Sequence, residues 1–421
     1  MDTERIYYED SFAREFSAEV LSCEPVAVET GDAAAAADAK SVATGAAKLW
    51  RVVLNRTVFY PTSGGQPHDV GKLGAANVVD VLDEEDDVVH VVDAAIALAT
   101  VSGVVDWERR FDHMQQHSGQ HVLSAVFHAQ SALPTVSFHL GANLCTIDLR
   151  GREPTAEILE RAAMAANEIV YEDRAVIVKY GTPEELAAAG VRKTVERSGK
   201  LRAIEIEGVE LQPCGGTHVR RTGQIGMIAL RGFSRIRQDW RVEFVCGKRA
   251  ERLARVDLAM LKSIAQRLNC SVAETVSAAE RVVAERDVYF KSARASNEKL
   301  AAVDAQSALQ TTEIGVDGIR VIVRVFRGVS PEYVQSFARE VAKADKTVAL
   351  IARSECGHVF FMQHANVGRD MNALLAETFG QVGGKGGGSR DSAGGRLADP
   401  QRAAEALQHA VSRLGQSEQT G

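Results

Sequence analysis

The sequence predicts an α+β chain of several domains, and three observations lead there. At 421 residues the chain exceeds what one compact core organises. Short Val-rich runs punctuated by glycine turns fill its first part, whereas long helical patterns and then a strand–helix alternation fill its last. With 45% apolar and 25% charged residues it has the composition of a globular protein and can bury cores.

The elements follow in order. From Phe16 to His90, turns such as Ser63-Gly64-Gly65 and Gly71-Lys72-Leu73-Gly74 separate short strands, which fits a small β-barrel or sandwich. The Ala-rich piece Asp32 to Ala47 reads as a surface insertion between strands. Asp112 to Ala129 predicts a helix, with Met114, Val122, Ala125 and Val126 apolar and no proline; Phe138 to Leu149 predicts a strand pair. Thr155 to Ile169 and Pro183 to Ala189 read as helices, and Arg202 to Glu207 alternates as a half-buried strand does. Arg249 to Leu268 and Val272 to Val303 predict a helical hairpin whose second arm opens on the capping pair Ser271 and Glu274. On that arm Val276, Ala279, Val283, Phe290, Ala293 and Leu300 fall on heptad a/d places, interrupted by Arg286 and Asn297, as in a spacer or a homodimer contact through residues 249–312. Beyond Glu313, strands Ile319 to Phe326, Thr347 to Ala352 and Val359 to Gln363 alternate with helices Pro331 to Lys343, Asp370 to Phe379 and Pro400 to Leu414, an α/β pattern.

The expected domains are therefore a β-barrel at 1–95, an α+β core at 96–248, a helical hairpin or coiled-coil spacer at 249–312 and an α/β domain at 313–421. The N-terminus carries no basic or apolar leader and no run approaches a membrane span, so a cytoplasmic protein without membrane contact is expected. Six dispersed cysteines are unlike a disulfide framework and suit free thiols or a metal ligand. The net charge of -7 hides an asymmetry. Residues 1–100 hold seven Lys/Arg against eighteen Asp/Glu, but residues 191–249 hold thirteen against six. That basic segment, with Arg192, Lys193, Arg220, Arg221, Arg235 and Arg237, is a candidate track for phosphates; a solvated, salt-bridged face is the plainer reading.

Two short motifs carry chemistry. His117 and His121 stand at i and i+4 of the predicted helix, so both imidazoles project from one face. Cys214-Gly215-Gly216-Thr217-His218 offers a thiolate and an imidazole around a tight glycine turn. Together they form a set of three nitrogens and one sulfur, which suits zinc, one ion per chain, and suits calcium or magnesium poorly. Four protein ligands usually mark a structural site, and spacing leaves open whether the ion is chemical or structural. A zinc peptidase is disfavoured, because His117-Ser-Gly-Gln-His121 lacks a glutamate beside the first histidine.

These two motifs, with Arg56-Thr-Val-Phe-Tyr-Pro-Thr-Ser-Gly-Gly-Gln66, resemble the editing domain of alanyl-tRNA synthetase, in the same order along the chain. No stretch ahead of them offers an aminoacylation module, so the whole chain resembles the freestanding, long-form AlaX-type alanyl-tRNA editing proteins. The resemblance implies trans-hydrolysis of serine, and in many members glycine, esterified to tRNA(Ala). It places the zinc ligands on His117, His121, Cys214 and His218, and substrate handling on Thr57, the candidate sensor of the seryl hydroxyl, and Gln120. His139 could orient water or the terminal adenosine, or be structural. Departures are His68 in the glycine-rich turn and the Ala-rich insertion. The run Gly383 to Arg390 meets neither the P-loop nor the dinucleotide-binding pattern, and on composition is a flexible linker. With Ala393-Gly394-Gly395 it also resembles the signature of the DHH-associated domain, which implies tRNA contact at Gly384, Lys385 and Gly387. The partner implied is tRNA(Ala), through its acceptor end and its elbow. The alternative reading is a zinc-stabilised module that delivers tRNA without hydrolysing it.

Overall fold

The computed structural model describes residues 3–26, 48–84, 86–191, 199–315 and 317–416. The Ala-rich insertion at 32–47 lies outside the described residues. The chain divides into two compact units, Met1–Met260 and Leu261–Gly421.

In the first unit six strands close a barrel in the order Glu15–Pro25, Trp50–Leu54, Asp87–Val92, Ala76–Glu84, Gly71–Leu73 and Thr100–Val105. Closure depends on Thr100–Val105, whose residues are alternately exposed and buried and which pairs with both Glu15–Glu19 and Gly71–Leu73. This strand lies past the expected boundary at residue 95. Its inward side chains Val101 and Val105 meet Val52, Leu54, Leu73, Val81 and Val92 in the barrel core.

Helix Trp107–Ser131 follows directly, capped by Asp106, whose carboxylate accepts from the Arg109 amide at 3.1 Å. It starts five residues earlier than the apolar pattern suggests, because Trp107 and Phe111 pack with Phe12 rather than mark a helical stripe. From His113 to Phe127 every residue of this helix is buried. On one side lie the antiparallel strands Ile228–Ile236, Asp239–Cys246, Cys145–Leu149 and Thr135–Leu140, in that order, together with helix Ala156–Tyr171. A second sheet, Val176–Gly181, Leu201–Ile206 and Glu210–Pro213, completes the unit.

The barrel is fastened to this helix by a buried ion pair. Arg110 and Asp69 are both fully buried; the guanidinium reaches both carboxylate oxygens and also donates to Ser11 O at 3.0 Å and Val58 O at 2.5 Å. Asp69 in turn accepts from the Tyr60 amide at 2.6 Å, so the stretch from Val58 to Asp69 is held against the helix.

Helix Gly247–Arg267 leads out of the first unit, and helix Thr275–Thr311 opens the second after the expected Ser271–Glu274 capping box. The latter runs eight residues past Val303, because Ala301, Ala305 and Ala308 pack on helix Pro331–Val341 through Val334, Phe337 and Ala338. These small residues make the packing face. The heptad positions Val276, Val283, Phe290 and Leu300 are exposed instead. The second unit's sheet runs Arg320–Phe326, Thr347–Arg353, His358–Gln363, Ser392–Leu397, Gly384–Gly388. The glycine-rich run is thus a paired edge strand, not a linker. Packing decides this, because Phe379 of helix Met371–Val382 lies so close that a Cβ at Gly384, Gly386 or Gly395 would sit within 2.9 Å of its ring.

Candidate metal centre

The four residues expected to hold metal converge. One ligand atom from each of His117, His121, Cys214 and His218 lies within 4.8 Å of all the others. Cys214 Sγ is 3.4 Å from His117 Nε2 and 3.2 Å from His218 Nε2. An ion with tetrahedral bonds of zinc length to N and S would separate its ligands by about 3.3–3.6 Å, which both sulfur–nitrogen distances approach.

Each imidazole is turned to present Nε2 inward, because its other nitrogen has a partner. His117 Nδ1 is 2.9 Å from Gln66 Oε1, His121 Nδ1 is 3.0 Å from Glu210 Oε2, and Ser118 Oγ is 3.1 Å from His218 Nδ1. Such outer contacts orient ligands and raise their basicity. Gln66 is a clamp. Its Oε1 also accepts from the Thr217 amide at 3.1 Å, and its Nε2 donates to Thr217 Oγ1 at 2.8 Å. The barrel stretch and the cysteine loop are thereby locked together. At Gly216 any side chain would collide, since a Cβ would lie 2.2 Å from His117 Cε1. Arg202 fastens the same loop, donating to Cys214 O at 2.6 Å and Gly216 O at 3.0 Å.

The electrostatics match. Burial raises the Cys214 thiol, but the nearby His117 and His218 and the hydrogen bonds from His117 and His121 outweigh it and hold the group well below its usual range, as a thiolate. Burial lowers His218 to about 3. Burial opposes protonation of His121 as well, yet Cys214 and Glu210 raise it to about 10. A thiolate among three imidazoles, one of which keeps a proton only while no cation displaces it, is a metal-binding set.

Other expected residues are placed differently. Thr57 is fully buried in the barrel; its hydroxyl lies 2.8 Å from His90 Nε2 and accepts from the Phe59 amide at 3.0 Å. Gln120 spends its amide on Ser124 Oγ at 2.7 Å. His139 is exposed, because strand alternation turns its neighbour Phe138 inward, with that ring 5.3 Å from His117's. Gln66, Glu210, Ser118 and Phe138 were missed as site residues. Gln66 and Ser118 lie inside the motifs Arg56–Gln66 and His117–His121; Glu210 and Phe138 depend on packing.

Arg220 covers the Phe12 ring at 4.3 Å and pairs with Asp10, while Arg221 pairs with Asp173. Arg235 stands over Trp240 at 5.8 Å, and Arg237 occupies the hairpin turn with a positive φ; among the described residues neither has an ion pair. Arg192 and Lys193 lie outside the described residues. In the second unit Gly384 faces Phe379, whereas Lys385 and Gly387 are exposed.

Comparison with known proteins decides the family. The chain is 30% identical to the alanyl-tRNA editing protein AlaX-L of Pyrococcus horikoshii over 94% of each chain. The chain belongs to the AlaX-type alanyl-tRNA editing proteins, long form. It is also 28% identical to the alanyl-tRNA editing protein Aarsd1 of Mus musculus over 94% of this chain and 95% of the other. The alanine–tRNA ligase of Pyrococcus abyssi is 29% identical over 98% of this chain and 44% of its own length. Residues 201–242 match the threonyl and alanyl tRNA synthetase second additional domain, which includes Cys214 and His218. Residues 318–416 match the DHHA1 domain. Among the described residues no helix is long and apolar enough to cross a membrane.

Proposed function

We propose that this alanyl-tRNA editing protein hydrolyses the ester linking serine, and secondarily glycine, to tRNA(Ala), as a zinc-dependent deacylase acting in trans in the cytoplasm. The observation that carries the reading is the convergence of His117, His121, Cys214 and His218 with all three Nδ1 atoms engaged elsewhere. Zinc held by those four residues would polarise an ester carbonyl and a water, which is all that an activated aminoacyl ester needs.

The chain's own residues supply the rest. Cys214 is half-buried and Gly215 exposed, so the cluster opens on the side of the cysteine loop. Phe138 walls it at His117, and Tyr8, on which Arg202 stacks at 5.4 Å, lies beside Gly215. An adenosine at the tRNA terminus has ring faces to meet there, and Arg220 over Phe12 continues the cationic and aromatic surface away from the cluster. Arg235 and Arg237, on the hairpin of strands Ile228–Ile236 and Asp239–Cys246, would take phosphates of the acceptor stem, and Lys385 and Gly387 would contact the tRNA elbow. Discrimination against alanine would use a hydrogen bond to the seryl hydroxyl, since a site built for a hydroxyl rejects the analogue that lacks it. Thr57 can serve only through a lone pair. His90 Nδ1 donates to Val52 O at 3.2 Å, which leaves Nε2 to take the Thr57 proton.

The test is deacylation of seryl-, glycyl- and alanyl-tRNA(Ala) by the wild type and Cys214→Ala, with zinc content measured in both. Loss of zinc together with seryl hydrolysis is expected, with alanyl-tRNA spared throughout. Seryl hydrolysis persisting without zinc would overturn the mechanism. Tight tRNA binding with no hydrolysis by the zinc-loaded wild type would favour a delivery module.

A further inference from the structure

Helix Trp107–Ser131 carries a row of polar residues, one turn apart, that runs from the metal ligands back toward the barrel: His121, His117, His113 and Arg109. The metal cluster claims the first two. The other two lack partners. His113 is only 3% exposed, yet among the described residues its Nδ1 is buried without a hydrogen bond. Arg109 is half-buried; its Nε donates to His68 O at 2.9 Å, and among the described residues its two terminal nitrogens meet no acceptor and no carboxylate. Buried polar groups in folded proteins are nearly always paired, and a guanidinium withdrawn from water calls for an anion. The acids nearby are already engaged. Asp112 is bound by Arg249 and Asp69 by Arg110, Asp80 lies 3.1 Å from His68 Nδ1, and Asp106 caps the helix at the Arg109 amide. Burial, with the charges of Arg109, Arg249 and Arg110, pushes His113 down to about 2, so its ring is neutral and can donate without adding a charge. The exposed turn Ser63–Gly65 frames the same region, since its Gly65 O accepts from the Leu140 amide at 3.1 Å, and Arg249 donates to Gly141 O at 2.6 Å.

We propose that Arg109 and His113 bind one backbone phosphate at the 3′ end of the tRNA, next to the esterified adenosine, and so position the ester at the metal cluster. The inference deepens the hydrolase reading above and rests on it. Spacing supports it. Along the helix axis His113 stands about 6 Å and Arg109 about 12 Å from His117, the reach of a terminal nucleoside and its 5′ phosphate from an ester held at the cluster. Arg109 also has the right presentation. With Nε fixed on His68 O, the two terminal nitrogens remain as a steadied donor pair, and such a fork matches phosphate oxygens. Both side chains act as positioning residues, because they touch the phosphate and not the reacting ester.

The experiment measures binding of a fluorescently labelled, uncharged acceptor-stem minihelix of tRNA(Ala), with its single-stranded 3′ end, to the zinc-loaded full chain by anisotropy over a series of salt concentrations. Arg109→Gln should weaken binding about 10- to 150-fold, the worth of a hydrogen bond to a charged group, and lower the slope of log affinity against log salt by about 0.7. Arg109→Lys keeps the charge and should keep the slope. His113→Leu removes a neutral donor, so affinity should fall with the slope unchanged. A second readout compares kcat/KM on the seryl-minihelix with kcat/KM on 3′-seryl-adenosine, which has no phosphate; in Arg109→Gln the ratio should fall by the same factor as the affinity. Affinity within twofold of wild type and an unchanged slope in Arg109→Gln would overturn the proposal, as would equal losses on the two esters, the mark of a merely structural role. If Arg109→Gln fails to fold, the affinity of His113→Leu decides. A wild type that hydrolyses neither ester would instead count against the hydrolase reading, with the salt series still deciding the phosphate site.

Discussion

Replacing Gln66 tests whether the barrel stretch builds the metal centre or merely borders it. The side chain is fully buried and makes three hydrogen bonds, to His117 Nδ1, the Thr217 amide and Thr217 Oγ1, at 2.9, 3.1 and 2.8 Å. Gln66→Leu keeps the bulk and strands all three partners, which at about 1 kcal/mol per bond costs the first unit roughly 3 kcal/mol. The larger consequence is for metal. His117 without an acceptor at Nδ1 can carry its proton on Nε2, the nitrogen that must be bare to bind a cation. Outer-contact losses of this kind weaken metal about 10- to 100-fold. Titration against a fluorescent zinc chelator measures this directly, and seryl-tRNA hydrolysis should fall with occupancy and recover in excess zinc. Gln66→Glu, which still accepts from both His117 and the Thr217 amide, should stay within about threefold of wild type. Equal zinc affinity in Gln66→Leu and wild type would refute the clamp.

Other expectations follow from the same geometry. Gly216→Ala puts a methyl 2.2 Å from a ring carbon of His117, so zinc occupancy should drop more than about tenfold with little change in the far-ultraviolet dichroism; a fully loaded variant would show that the loop can give way. Arg110→Met leaves Asp69 charged and buried and should cost about 3–5 kcal/mol, while Arg110→Met/Asp69→Leu should recover more than about 1 kcal/mol of it. Urea unfolding followed by tryptophan fluorescence resolves this, because Trp50, Trp107 and Trp240 all belong to the first unit; a double variant as unstable as the single would contradict it. His90, fully buried, is lowered by burial from 6.5 to about 4. It must stay neutral in the folded barrel, so the unfolded chain binds the extra proton first. About 3 kcal/mol of stability present above pH 6.5 should be lost as pH falls toward 4. His90→Gln should flatten that part of the profile, and an unchanged slope would assign it to other groups.

Much of this was legible without coordinates, for identifiable reasons. His117 and His121 could be paired because a helix places i and i+4 on one face, and Cys214 with His218 because two glycines let a short loop fold back. Periodicity located the strand pair over Phe138 to Leu149, where strands Thr135–Leu140 and Cys145–Leu149 stand, the helix over Thr155 to Ile169, where Ala156–Tyr171 stands, and the C-terminal alternation. It failed where packing overrides pattern. The strand Thr100–Val105 has too few residues to announce that it closes a barrel. Within the chain, the face of the long helix that packs is the alanine row 301, 305 and 308, which apolar scoring weights little. A glycine-rich run scores as linker until an aromatic ring from a neighbouring helix requires the absence of side chains.

Local sequence determined the four ligand types and the turn and helix that present them, since both depend on residues only a few positions apart. Tertiary structure decided which polar groups turn each imidazole. Gln66, Glu210 and Ser118 reach their histidines across 51, 89 and 100 residues of chain. It also turned Phe138 toward His117 and His139 outward, and it left the Thr57 hydroxyl tied to His90. Such pairings are made only when a barrel and an α+β core close on each other, because the energy that orients a buried hydrogen bond comes from excluding water on all sides, and no local run of sequence can do that.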